Sequence, residues 1–147
     1  MVLGLLFAVA LVQTVPAAPP VTVPVAPPVN WRAAPLNAGT WTYRAIPGGS
    51  EAVFQTNLGP QLTIRCTLVT RRVSFSRQGA APGMLLRIMT TSSERTLPVG
   101  NAVPSFDPVL DAIAFSRGRF AVLGAPAPML IMPSWAEPAR AVEDCRK

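Results

Sequence analysis

The chain has 147 residues, half of them hydrophobic, with thirteen basic side chains against seven acidic ones, a formal net charge of +6 and no histidine. That length suits a single small domain with one core. The missing histidine excludes the commonest general base and metal ligand, and no nucleotide, phosphate or metal motif is present, so binding and structural roles stand ahead of catalysis.

Residues 1–12 (MVLGLLFAVALV) form an uncharged apolar run. A bilayer-spanning helix needs roughly 20 such residues, whereas the core of an export signal is of this length and is followed by small residues, here Val15, Pro16, Ala17 and Ala18. The reading is a signal peptide over 1–18, without a basic leading region, against a buried helix or uncleaved anchor. No cysteine follows the run, so there is no lipid attachment point, and the mature chain is expected to have no transmembrane span. Val15 to Pro35 then holds seven of the seventeen prolines. Proline fixes φ and removes the amide donor, so residues 19–38 read as a Pro-rich polyproline II spacer rather than a docking motif. A single β-rich domain is expected over 39–147.

Within it the apolar pattern has mostly period two. Leu62, Ile64, Cys66 and Leu68 alternate with Thr63, Arg65 and Thr67, and Val73 and Phe75 alternate with Arg72, Ser74 and Ser76. Further strands are expected over 40–46, 51–55, 85–91, 120–123 and 129–132. Turn residues separate them at Pro47-Gly48-Gly49, Gly59-Pro60 and Gly79 to Gly83. A first helix is predicted over 108–116, with Asp107 as N-cap, Pro108 at its first position and Arg117-Gly118 at its end. A second starts at Ser134, where Ser134 and Glu137 have capping-box spacing. Its apolar face comprises Trp135, Pro138, Ala139, Val142 and Cys145, opposite Glu137, Arg140 and Asp144.

Cys66 and Cys145 are therefore both expected to face inward, one from a strand and one from the last helix. A redox or metal pair would call for a C-x-x-C spacing, a histidine or a third ligand, all missing; a structural disulfide is the preferred reading. The fold class is mainly β (α+β): an antiparallel meander or small sandwich with two short helices, the C-terminal helix disulfide-linked to the sheet.

Catalysis fails on named requirements, and the chain is not read as an enzyme. A serine nucleophile lacks a base, with Lys147 at the end of the chain. Asp107 and Asp111 suit helix capping and the helix dipole, and Glu137, Glu143 and Asp144 suit a solvated helix face. Of Trp31, Trp41 and Trp135, which together offer walls for a ligand site, two sit at element starts, where anchoring the core is the preferred reading, and Met129 to Met132 read as a buried strand. No catalytic, cofactor-binding or metal-ligating residue is assigned, and no cofactor is expected.

Twelve of the thirteen basic residues are arginine. Arg65 and Arg72 should share the solvent face of neighbouring strands, with Arg77 and Arg87 extending an anion-binding patch for lipid headgroups, lipopolysaccharide or an acidic protein face. The competing reading is compositional, an arginine-favouring genome giving surfaces that bind nothing specific. Nucleic acid is not an expected partner, since no recognition motif accompanies the charge.

The stretches Trp41-Thr-Tyr-Arg, Pro47-Gly-Gly-Ser-Glu-Ala, Ile64-Arg-Cys, Thr70-Arg-Arg-Val-Ser, Ala114-Phe-Ser-Arg-Gly-Arg-Phe-Ala-Val and Pro133-Ser-Trp-Ala-Glu through Val142-Glu-Asp-Cys-Arg resemble a group of small uncharacterised exported proteins of Gram-negative bacteria. More loosely, the order of helix, hairpin ending in Leu-Ile-Met-Pro and final helix resembles the invasion-associated locus B family. The resemblance implies a periplasmic or secreted, non-enzymatic β domain and supplies no catalytic motif. Two functions follow: an envelope structural or interaction protein that docks an acidic periplasmic partner or an anionic envelope surface, and a small periplasmic inhibitor of a hydrolase using the loop Pro47 to Ser50 or Gln78 to Gly83.

Overall fold

Short alternating strands joined by tight turns can pair only with their neighbours, and that is how the first sheet forms. The computed structural model describes residues 29–124 and 127–147; the expected signal peptide and the linker up to residue 28 lie outside the described residues. Strands β1 (Thr40–Ile46), β2 (Gly49–Thr56), β3 (Gly59–Thr67) and β4 (Arg72–Arg77) run as an antiparallel meander. A three-residue strand, β7 (Ala102–Pro104), completes a five-stranded sheet in the order β1-β2-β3-β4-β7. The second sheet has the order β6-β5-β8-β9, built from β5 (Leu85–Met89), β6 (Glu94–Pro98), β8 (Arg119–Gly124) and β9 (Ala127–Pro133). Helices α1 (Pro108–Ala114) and α2 (Ala136–Asp144) complete the fold.

The inner residues of both sheets share one core, in which Trp41, Phe54, Ile64 and Phe75 from the first meet Leu86, Ile88, Phe120 and Met132 from the second. Trp41 sits at the join, its ring 5.4 Å from Phe54 and 6.1 Å from Phe120. Its buried indole N–H donates to the carbonyl of Pro133 at 2.9 Å, which removes the cost of a stranded polar group. Helix α2 packs on the inner side of β1, β2 and β3. Cys145, at its end, is bonded to Cys66 of β3, with Cα atoms 5.5 Å apart. Closing a loop of this length removes about 4.5 kcal/mol of chain entropy from the unfolded state, comparable with the whole stability of a small domain.

Two glycines are needed where β1 turns into β2. Gly48 has φ 77°, the left-handed geometry of a two-residue turn. A Cβ on Gly49 would lie 1.9 Å from the Cys66 carbonyl, so only glycine lets β2 start beside the disulfide strand.

The N-cap of α1 is as expected, with the Asp107 carboxylate accepting from the Val109 N–H at 3.0 Å. The start of α2 is different. Trp135 is the N-cap and makes no side-chain capping bond; the Ser134 hydroxyl donates instead to the Ile113 carbonyl at 2.8 Å, stapling the end of α1 to the start of α2. Tertiary contact has overridden the local capping box. Trp135 is accordingly half exposed, and Ala141 takes its place in the buried face beside Pro138, Val142 and Cys145.

Strands β6 and β7 carry too weak an alternation to be predicted: β6 is an edge strand in which only Leu97 is buried. The linker boundary also moves. Trp31 is only 6% exposed and packs with Met89, Ala121 and Ile131, side chains on the face of the second sheet that points away from the shared core. Asn37 ties the segment down like an added strand residue: its N–H donates to the Ile131 carbonyl at 2.9 Å and its side-chain oxygen accepts from the Ile131 N–H at 2.7 Å. Arg119 adds a 2.6 Å bond to the Ala34 carbonyl. The folded body thus begins near Trp31 rather than Gly39. Trp31→Ala should lower the unfolding free energy by about 3 kcal/mol in a urea titration; no loss would mean that the segment hangs free as a spacer.

Candidate functional site

The outer face of the first sheet is built by strand register. Arg44 of β1 stands opposite Glu51 of β2, Glu51 opposite Arg65 of β3, and Arg65 opposite Ser74 of β4. Period two sends all four side chains to the same side, away from the core. The row crosses a groove of about 330 Å³ whose walls include Thr63, Ser76 and Gln55.

Glu51 is only 1% exposed, although it lies on an outer face, because both arginines fold over it. Arg44 Nε donates to Glu51 Oε1 at 2.6 Å, and Arg65 donates to Oε2 from Nε at 3.0 Å and Nη2 at 2.7 Å. Burial alone would raise the Glu51 pKa, but the bonds and charges of Arg65 and Arg44 outweigh it and hold the carboxylate below its usual range. The arginines themselves stay open, at 67% and 52% side-chain exposure. One buried anion therefore fixes two guanidinium groups and leaves their outer sides to solvent.

Arg72 extends this surface. It lies opposite Thr67, a diagonal neighbour of Arg65 on the same face, and its Nε donates to the Ala102 carbonyl at 3.1 Å. Just beyond it, the β3–β4 turn exposes Leu68 and Val69, the latter 91% exposed, beside Arg71 at φ 50°. The turn lies next to Pro47 and Gly48, since the Leu68 N–H donates to the Gly48 carbonyl at 2.9 Å. One end of the sheet thus carries an apolar tip flanked by arginines.

The four arginines expected to make one patch do not gather. Arg65 and Arg72 share the face as expected. Arg77 points the other way, into the protein, at 5% exposure; along β4 it falls in step with Val73 and Phe75, so the alternation that sends Arg72 outward sends Arg77 inward. Arg87 lies on the second sheet and pairs with Glu94 at 2.5 Å. Arg44 and Glu51 were not foreseen as members of the site, yet they are symmetric about Pro47-Gly48, and a two-residue hairpin there places them opposite each other. Of the two loops considered for an inhibitor, Pro47 to Ser50 is only half loop: Pro47 and Gly48 form a tight turn, and Gly49 and the buried Ser50 already belong to β2.

A second polar cluster holds α2 against β1. Tyr43 donates its hydroxyl to Asp144 at 2.5 Å, Lys147 donates to the other carboxylate oxygen at 2.8 Å, and Arg140 lies over the Tyr43 ring at 4.0 Å. The Lys147 bond, then the Tyr43 bond, lowers the Asp144 pKa to about 2. Among the described residues no three His, Cys, Asp or Glu side chains come together as a metal site, and no helix is long and apolar enough to cross a membrane. Comparison of the chain with protein-family models, with curated proteins and with solved structures finds no match in any of the three.

Glu51 is buried only by the two arginines that fold over it, so Arg44→Ala with Arg65→Ala removes its cover together with its partners and returns the carboxylate to solvent. The double variant should therefore cost only about 1 kcal/mol in chemical unfolding; a loss of about 3 kcal/mol or more would show that Glu51 stays buried without them. Both Glu51 and Asp144 have lowered folded-state pKa values, so each contributes stability that is complete above its unfolded value near 4 and is lost as pH falls through the folded value. For Asp144 the window is about pH 4 to 2. Asp144→Asn should flatten the acid limb of stability against pH in that interval, whereas an unchanged limb would remove its role.

Proposed function

We propose that this chain is an exported, non-enzymatic binding module that docks the outer face of its first sheet onto an anionic surface of the cell envelope. The observation that carries the reading is the fixed pair Arg44 and Arg65, held over buried Glu51 with Arg72 alongside. Arginines scattered by composition have no reason to be held in place by a buried acid, whereas a docking face gains from guanidinium groups that are ordered before they bind. Each planar fork can donate to phosphate or carboxylate oxygens.

The exposed tip at Leu68 and Val69 favours a membrane surface over an acidic protein as the partner. An apolar tip inserts at the headgroup boundary while flanking arginines pair with lipid phosphates, and each basic residue near such a surface contributes about 1 kcal/mol. The structural disulfide fits an oxidising compartment such as the periplasm, in keeping with the apolar leader and with the exported proteins that the chain resembles.

Co-sedimentation with vesicles tests the reading. The protein should bind vesicles containing phosphatidylglycerol, release them as salt rises, and ignore vesicles of phosphatidylcholine alone. Arg44→Gln with Arg72→Gln, which leaves Glu51 paired with Arg65, should weaken binding about tenfold or more. Leu68→Ser with Val69→Ser should weaken it further. Equal binding by both variants, or equal binding to the neutral vesicles, would overturn the proposal.

A further inference from the structure

Beyond its row of arginines the outer face of the first sheet changes character. Thr42 of β1 stands opposite Val53 of β2, Val53 opposite Thr63 of β3, and Thr63 opposite Ser76 of β4. This second row lies two residues, about 6.8 Å, from the row of Arg44, Glu51, Arg65 and Ser74. It is on the side away from Leu68 and Val69, because β3 runs from Gly59 towards that turn and β4 runs from Arg72 away from it. Val53 is only 5% exposed and forms the floor between the hydroxyls. The Thr42 hydroxyl is turned back onto the Val53 carbonyl, but Thr63 and Ser74 are partly open and Ser76 and Gln55 are exposed. These four line the same groove of about 330 Å³ as Arg44 and Arg65.

Both arginines meet Glu51 through Nε and Nη2, which leaves Nη1 of each fork on the side away from the carboxylate. Two guanidinium groups and one carboxylate leave one net positive charge, a closer match to the single charge of a phosphodiester than to the nearly double charge of a phosphomonoester. We infer that this face selects lipids whose phosphodiester carries a polyol, the phosphate meeting Arg44 and Arg65 and the polyol hydroxyls meeting Thr63, Ser76 and Gln55. The inference rests on the docking of this face to the envelope and adds what it recognises there. With the Leu68 and Val69 tip at the acyl boundary, the arginine row comes next and the hydroxyl row last, the order in which such a lipid presents its chains, phosphate and polyol. A headgroup ending in a bare alkyl group gives the hydroxyl row no new partner, and one ending in a cation brings that charge up against the arginines.

Vesicles of phosphatidylglycerol and of phosphatidylethanol, which has the same diester and charge but an ethyl group in place of glycerol, separate the two ideas. At equal mole fraction and salt the oxidised chain should bind phosphatidylglycerol about fivefold more tightly, the effect of one net hydrogen bond. Thr63→Val with Ser76→Ala keeps the charge and the strand pattern, and should bring phosphatidylglycerol affinity down to the phosphatidylethanol level. Thermal unfolding of the variant at the parent's midpoint shows that the loss is one of recognition. Soluble glycerophosphoglycerol should displace the protein from vesicles only at concentrations well above that of the lipid. Equal binding of the two lipids by the parent, or an equal loss on both lipids in the variant, would overturn the selectivity and leave the docking face standing. Absence of binding to either lipid would overturn the docking reading and this one with it. Displacement by glycerophosphoglycerol as potent as by the lipid would overturn the lipid assignment in favour of a free phosphodiester.

Discussion

The bond between Cys66 and Cys145 joins the middle strand of the first sheet to the last turn of the chain, and much of the packing follows from that tie. With Cys145 pinned, α2 has one place to lie, over the inner side of β1 to β3, where Ala141 and Val142 close the core and Tyr43 reaches Asp144. A helix of nine residues has little stability of its own in water. It is helical because packing and the covalent tie hold it there, which also explains why it dispenses with a side-chain N-cap. The start of β2 is constrained by the same element, since Gly49 passes too close to the Cys66 carbonyl for any side chain.

The inner tie leaves the outer face of the first sheet free to carry charge. Four strands in fixed register place Arg44, Glu51, Arg65 and Ser74 in one row, and a shift of one residue in any strand would send its member into the core. Glu51 then converts two mobile side chains into an ordered pair. The arrangement resembles the interior of a salt-bridge network on its protein side and an ordinary surface on its solvent side, where screening weakens each pair but leaves the donors accessible. The outer side of the second sheet is covered over Met89, Ala121 and Ile131 by Trp31 and the chain leading to Asn37, and Arg87 on that side is paired one to one with exposed Glu94. One sheet is therefore partly covered by its own chain, and the other presents the row of cations to solvent.

Alternation made most of the fold legible. Where a strand has several buried positions, as in β3 with Leu62, Ile64 and Cys66, period two reveals both the strand and the direction of each side chain, and it placed Cys66 inward, as the apolar face of the last helix placed Cys145. Edge strands carry less of this signal, and β6, with one buried residue, was invisible for that reason. Charge was misread where polarity was taken as a guide to direction. Arg77 obeys the phase of its strand rather than its own hydrophilicity, and Trp31, set among prolines, packs because the second sheet offers an apolar outer face that only the assembled structure reveals. Glu51 was read as a strand residue without a role, since its importance depends on what lies on the strands either side.

The central claim is that the arginines of the first sheet, and not the basic charge as a whole, meet the partner. Two-dimensional NMR of the arginine Nε–H signals, recorded while nanodiscs containing phosphatidylglycerol are added, addresses it residue by residue. The account predicts that the Arg44, Arg65 and Arg72 signals shift or broaden first, with Arg87, Arg95 and Arg119 unaffected at the same lipid concentration. Uniform changes across all exposed arginines, or changes confined to the second sheet, would contradict it and leave the charge as a property of composition.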